Sequence, residues 1–160
     1  MKEFQHPIKF VEIEDRSSLN DREKELLTKA EMARDKAYAP YSKFLVGASV
    51  LLENNAIITG NNQENAAYPS GICAERVAVW KAMSEFPELA IQAVFIVAKS
   101  LNYNIADPIP PCGSCRQTLL EYEFRQKKPM SIYFAGETGK IIKVESVNHL
   151  LPFAFNQDYL

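Results

Sequence analysis

Residues 91–98 read IQAVFIVA, eight positions of which seven are apolar. A strand with one wet face alternates polar and apolar residues, whereas an unbroken apolar run marks a strand covered on both faces. A chain carrying such a strand must build one layer above it and another below. With 160 residues, 47% hydrophobic and 24% charged, this chain has the length and balance to do so as one domain.

The flanking sequence supplies those layers. Asn20 followed by Glu23 has the form of a capping box, and Leu26, Ala30, Ala33 and Ala37 recur at helical spacing. A first helix is expected from there, ended by Pro40. FLVGASVLL (44–52) and AIITG (56–60) read as strands joined by the tight turn ENN, where Asn tolerates positive φ. A second helix is expected from Cys73 to about Phe86, with Val77, Trp80 and Met83 on one side, and a third from Cys112 to about Phe124. SIYF and IIKV read as two closing strands, and a short turn or helix precedes LLPFAF. This order predicts an α/β fold, a three-layer α/β/α sandwich around a mixed sheet of about five strands. Residues 1–19 form an amino-terminal arm, in which Ile8, Phe10 and Ile13 suit either a strand or a packed extension, and 20–160 form a single domain.

The chemistry lies in three cysteines, Cys73, Cys112 and Cys115, an odd number that cannot all pair as disulfides. There is no apolar run of signal-peptide form and none near the ~20 residues of a membrane span. The expectation is a cytoplasmic protein, where reduced, close-set thiols bind metal more often than they bridge. A C-x-x-C pair at a helix start can aim both sulfurs at one centre, and the helix dipole favours thiolate. Cys73 also begins a helix, so three sulfurs can converge on a tetrahedral Zn2+. Neither His6, in the arm, nor His149, beside a leucine pair, has ligand spacing. Three protein ligands and an open fourth place describe a catalytic zinc rather than a structural one. Glu75 lies two residues after Cys73, about 200° around the helix, beside the metal rather than on it. There it can move protons as a general acid/base. Alone it would be read as a first-turn acid answering the helix dipole. Together, Cys73-Ala74-Glu75 and Pro111-Cys112-Gly113-Ser114-Cys115 have the form of the zinc nucleobase deaminase signature, with cysteine in place of histidine.

YAPYSKFLVGA (38–48), TGNNQENAAYPSGICAERVAVWKA (59–82), PPCGSCRQTLLE (110–121) and LLPFAF (150–155) extend that match along most of the chain. In these stretches the sequence resembles the small, three-cysteine, homotetrameric cytidine deaminases. The resemblance implies that 20–160 is one cytidine deaminase-like catalytic domain, with one Zn2+ per subunit on Cys73, Cys112 and Cys115. It implies Glu75 as proton shuttle, Asn62 and Glu64 on the ribose 3′-hydroxyl, and Phe44 against the pyrimidine ring. Tyr68 and Ala74 would complete the substrate site, and Phe155, or Phe153 in the same stretch, would reach a neighbouring subunit's site. Arg76 would donate to a thiolate, offsetting the charge of about −1 that three thiolates leave on Zn2+. Arg116 and Gln117 receive no role.

The implied reaction is hydrolysis of cytidine or deoxycytidine to uridine or deoxyuridine with release of ammonia, a step of pyrimidine salvage. The implied partners are a small nucleoside and three further copies of the chain, with active sites shared between subunits, and neither membrane nor nucleic acid. A formal net charge of −2 offers no attraction to a polyanion. A carboxylate at Glu64 would also meet a 3′-phosphodiester with like charge. One alternative is deamination of another cytosine nucleoside, such as a blasticidin-type antibiotic, which NQENAAY and Phe44 favour less. Others are a noncatalytic zinc-stabilised module, which needs a fourth protein ligand, or cytosine editing in RNA or DNA, for which no basic extension is present. A redox-active C-x-x-C protein would leave Cys73 and Glu75 without purpose.

Overall fold

The computed structural model describes residues 1–160. The strands are β1 (Val11–Ile13), β2 (Phe44–Leu52), β3 (Ile57–Asn61), β4 (Ile91–Ser100), β5 (Ser131–Ala135) and β6 (Ile141–Val144). They form one sheet in the order β1-β6-β5-β4-β2-β3. Only the β4–β5 pair is parallel; every other pair is antiparallel. The three α-helices are α1 (Asp21–Arg34), α2 (Ala74–Glu85) and α3 (Gly113–Gln126).

β4 is the strand that IQAVFIVA demands. Ala93, Phe95 and Val97 face a cluster that includes Leu26, Leu27 and Ala30 of α1. Val94 and Ile96 face the opposite cluster, with Ala78 and Val79 of α2 and Leu119 and Leu120 of α3. One helix therefore covers one face and two cover the other, the expected α/β/α sandwich. Each fully buried Leu or Ile in these clusters contributes roughly 1.5–3 kcal/mol relative to exposure.

The sheet has six strands rather than about five, because the arm supplies β1. Val11, Glu12 and Ile13 pair antiparallel with Lys143, Ile142 and Ile141 of β6. A three-residue strand is too short for its periodicity to show in sequence, and pairing with a distant edge decides its conformation.

α1 opens with the expected capping box. Asn20 Oδ1 accepts from the Glu23 amide at 2.9 Å, and Glu23 Oε2 accepts from the Asn20 amide at 3.0 Å. The helix stops at Arg34, well before Pro40. The amides of Lys36 and Ala37 turn back to the carbonyls of Ala33 and Arg34, and Asn61 Nδ2 donates to the Ala33 carbonyl at 2.9 Å. Local turn bonds, with the tertiary tie from Asn61 to the Ala33 carbonyl, thus end the helix before proline can. Asn55, with φ of 68°, takes the left-handed turn position between β2 and β3.

On α2 the buried side is Ala74, Glu75, Ala78, Val79 and Ala82, while Trp80 lies 44% exposed. Val77 and Met83 are only partly buried. The cause is Gly60 on β3, where an added Cβ would overlap the Ala78 amide and the Ala74 carbonyl. Backbones this close admit only small residues between them, so Ala74 and Ala78 take the contact with β3 and Trp80 turns outward.

Candidate active site

Cys73 and Cys112 are the N-caps of α2 and α3, both extended, at φ −78° ψ 152° and φ −66° ψ 166°. Neither side chain caps its own helix, so the sulfurs are free to turn toward each other. The two helix starts converge beside β4. Cys73 Sγ lies 3.9 Å from Cys112 Sγ, and Cys112 Sγ lies 3.5 Å from Cys115 Sγ. All three sulfurs fall within 4.8 Å of one another. Zn–S bonds of ~2.3 Å in a tetrahedron require S···S edges of about 3.8 Å, so these spacings fit one Zn2+.

The electrostatics point the same way. The Cys73 thiol is pulled down to about 5 by a hydrogen bond from Cys115, with Arg76 adding to the effect and burial opposing it. The fully buried Cys115 is pushed up by that same bond, by burial and by the nearby Glu75. Three adjacent sulfurs cannot all ionise unless a cation lies among them. Arg76 brings positive charge: Nη2 donates to Cys73 Sγ at 3.7 Å, and the guanidinium lies 5.7 Å from the Trp80 ring centroid. Its Nε is buried without a hydrogen-bond partner.

Neither histidine joins the sulfurs. His149 Nδ1 accepts from the Lys9 amide at 3.4 Å, and the His6 ring lies 6.5 Å from that of Phe153. The one cluster of metal-ligating side chains is the three cysteines.

A cavity of about 740 Å³ opens on the thiols, within the range of small-ligand sites. Glu75, in the first turn of α2 and 5% exposed, lines it beside Cys73 and Cys112. Burial pushes the Glu75 carboxyl up to about 6; its backbone amide opposes this and the Cys73 sulfur adds to it. Phe44, Asn62, Glu64 and Tyr68 line the same cavity, as does Arg76. Asn62 Oδ1 accepts from the Val46 amide at 2.7 Å and its Nδ2 donates to the Phe44 carbonyl at 2.9 Å. The asparagine therefore holds the start of β2, and with it Phe44, against the end of β3. Tyr68 is 75% exposed at the cavity rim, its ring edge-on to Tyr41 at 6.0 Å.

Two residues singled out from sequence lie elsewhere in this chain. The Ala74 side chain is fully buried in the cluster between the sheet, α2 and α3. Phe155 is 59% exposed, stacked on Tyr159, with its carbonyl accepting from Gln117 Nε2 at 2.8 Å. Phe153 is 91% exposed. Arg116 and Gln117, given no role by the sequence, are ties. Arg116 holds the Pro111 carbonyl at 2.8 Å and the Leu150 carbonyl at 2.9 Å, fixing the proline loop and the carboxyl segment to α3. Sequence reasoning also passed over Tyr41, Ser42 and Ile109, which line the cavity. The signal available was their place in YAPYSKF and in the proline-rich approach to Cys112.

Residues 20–129 match the family described as the cytidine and deoxycytidylate deaminase zinc-binding region. The chain is 39% identical over 133 residues to a cytidine deaminase of Halalkalibacterium halodurans, covering 83% of this chain and 93% of that protein. It is 38% identical over 135 residues to one of Sporosarcina psychrophila, covering 84% and 92%. The crystal structure of cytidine deaminase from Burkholderia pseudomallei superposes with a TM-score of 0.70 at 36% identity, covering 82% of this chain and 98% of that one.

Proposed function

The chain belongs to the zinc-binding cytidine and deoxycytidylate deaminase family, and on that premise we propose that its cavity hydrolyses the 4-amino group of a free cytosine nucleoside. The enzyme is a zinc-dependent cytidine deaminase, yielding uridine or deoxyuridine and ammonia. The observation that carries this reading is the convergence of three thiols within 4.8 Å beside a buried carboxyl that lines the same cavity.

Cys73, Cys112 and Cys115 would hold Zn2+, which supplies Lewis-acid activation of water at neutral pH. Glu75 accepts the proton that water gives up and delivers it to N3 of the ring. It then takes the proton of the hydroxyl added at C4 and passes it to the amine, which leaves as ammonia while the C4 carbonyl forms. A carboxyl raised to about 6 suits both directions, since an acid/base works best when its pKa lies near the operating pH. Arg76 offsets the excess negative charge of three thiolates through its hydrogen bond to Cys73. Phe44 packs on the pyrimidine, and Asn62 and Glu64 take the sugar hydroxyl. Tyr68 closes the rim, and Ala74 can contribute through its backbone alone, its methyl being in the core.

Assembly completes the site. The reading is a homotetramer in which Phe155 enters a neighbouring subunit's cavity, supported by an exposed ring that lines no wall of its own. Phe155→Ala should raise KM for cytidine several-fold with the tetramer intact by light scattering, whereas unchanged kinetics would remove that role. No helix is long and apolar enough to cross a membrane. Three thiols kept as ligands suit a reducing, cytoplasmic setting.

The test is an ultraviolet assay of the purified protein on cytidine, deoxycytidine, cytidine monophosphate and adenosine, with metal analysis of the same sample. Turnover of the two cytosine nucleosides, little of the nucleotide or adenosine, and one zinc per chain are expected. Zinc without nucleoside turnover would favour the noncatalytic module.

A further inference from the structure

Between α1 and β2 the chain makes a compact turn through Tyr41, Ser42 and Lys43, the last with φ of 56°. Three donors of this turn, the amides of Tyr41 and Ser42 and the Ser42 hydroxyl, converge on one carboxylate. Glu64 Oε2 accepts from the Tyr41 amide at 2.9 Å and from the Ser42 amide at 3.3 Å. Glu64 Oε1 accepts from the Ser42 hydroxyl, which in turn accepts from the Phe44 amide at 3.0 Å. With the Phe44 N–H directed at its oxygen, that hydroxyl has its single proton for Glu64. Ser42 thus joins the two cavity residues assigned to the sugar and to the ring.

A carboxylate offers about four acceptor positions and, when ionised, no donor. Three are taken by the turn, which leaves one, and only a group that donates can fill it.

We propose that Ser42 is a positioning residue: its hydroxyl locks Glu64 so that the one remaining acceptor faces a donor on the nucleoside, making an unsubstituted 3′-hydroxyl a condition of efficient turnover. This rests on the reading that Glu64 meets that hydroxyl. Without the serine, Glu64 keeps its two amide contacts but its Oε1 is free to swing into solvent. The preference for a 3′-hydroxyl then weakens, because discrimination of this kind depends on a polar group that is fixed and left unpaired by the wrong ligand.

The experiment compares kcat/KM for cytidine and for 3′-deoxycytidine in the wild-type enzyme and in Ser42→Ala, Ser42→Thr and Glu64→Ala, with zinc content and Tm measured on each. Wild type should favour cytidine by at least ~10-fold, as expected for a hydrogen bond to a charged group. Glu64→Ala should bring the ratio close to one. Ser42→Ala should lower the ratio by at least about 5-fold, chiefly through cytidine, while Ser42→Thr, which keeps the hydroxyl, restores it. Equal slowing of both substrates by Ser42→Ala, with the wild-type ratio retained and Glu64→Ala still abolishing it, would overturn the role of Ser42 and leave that of Glu64 standing. A ratio unaffected by Glu64→Ala would remove the sugar contact itself, and the proposal with it.

Discussion

Glu75 and Glu64 line one cavity yet are driven in opposite directions. Burial raises Glu75, whereas at Glu64 burial, the largest single effect, is outweighed by the combined hydrogen bonds from the Ser42 hydroxyl and the amides of Tyr41 and Ser42, which hold it below the usual glutamate value. Two acids whose environments separate them in this way can divide the labour, one exchanging protons and one remaining a fixed acceptor. The sign can be checked directly. Because the folded Glu64 is lowered, its carbon resonance should titrate at lower pH than in the unfolded chain, and its clamp should stabilise the fold above the ordinary carboxylate pKa and fade as pH falls through the lowered one. A midpoint at or above the ordinary value would mean that the Ser42 turn does not form in solution. At this scale the sequence shows residue types but not partners. The thiol spacing could be read from C-x-x-C and a single remote cysteine, because metal ligation uses few residue types at strict separations. The Ser42 clamp could not be read, because two of its three bonds come from backbone amides, which carry no residue identity.

At the scale of elements, hydrophobic pattern and local signals agreed wherever a segment's own chemistry decides its shape. The capping box at Asn20, the continuous apolar run of β4 and the Asn55 turn are of this kind. They failed where another element decides: α1 is ended by Asn61 and the turn amides rather than by Pro40, and β1 exists because β6 offers an edge. α2 is the clearest case, since its alanine face follows from the approach of Gly60 and not from any stripe of large apolar residues. That approach also fixes where the start of α2, and so Cys73 and Glu75, sits over the sheet. Gly60→Ala should therefore push α2 outward at a cost of about 1–3 kcal/mol, the usual overpacking range. The expected readout is a Tm lower by at least ~2 °C, since 1 kcal/mol shifts a chain of this size by roughly 2–4 °C. Zinc affinity should fall as well. Wild-type stability would show that the sheet and helix have slack that their spacing does not suggest.

For the whole molecule, the arm and the carboxyl segment frame the catalytic core. The family match begins at residue 20, so β1 and the turn after it are additions to the matched region. Arg16 fastens that addition by donating to the carbonyls of Gly139 at 3.0 Å and Gly136 at 2.9 Å, and Leu19 is 2% exposed against α1. Residues 1–10 form no strand and are exposed throughout. Removing 1–10 should leave Tm within about 2 °C, whereas removing 1–19 should lower it by ~5 °C or more, because loss of a buried leucine alone costs about 2–5 kcal/mol. Equal melting of both truncations would show that the sixth strand adds nothing to the fold. Around the core so framed, the central claim is that three thiols and one buried carboxyl form a hydrolytic centre in which Glu75 carries protons and does not hold the metal. The most direct measurement is Glu75→Gln, assayed for zinc content and for cytidine turnover on one preparation. The account predicts one zinc per chain, as in wild type, with turnover reduced by ~10²–10⁴-fold, the usual contribution of general acid/base catalysis. Full turnover with zinc in place would contradict it.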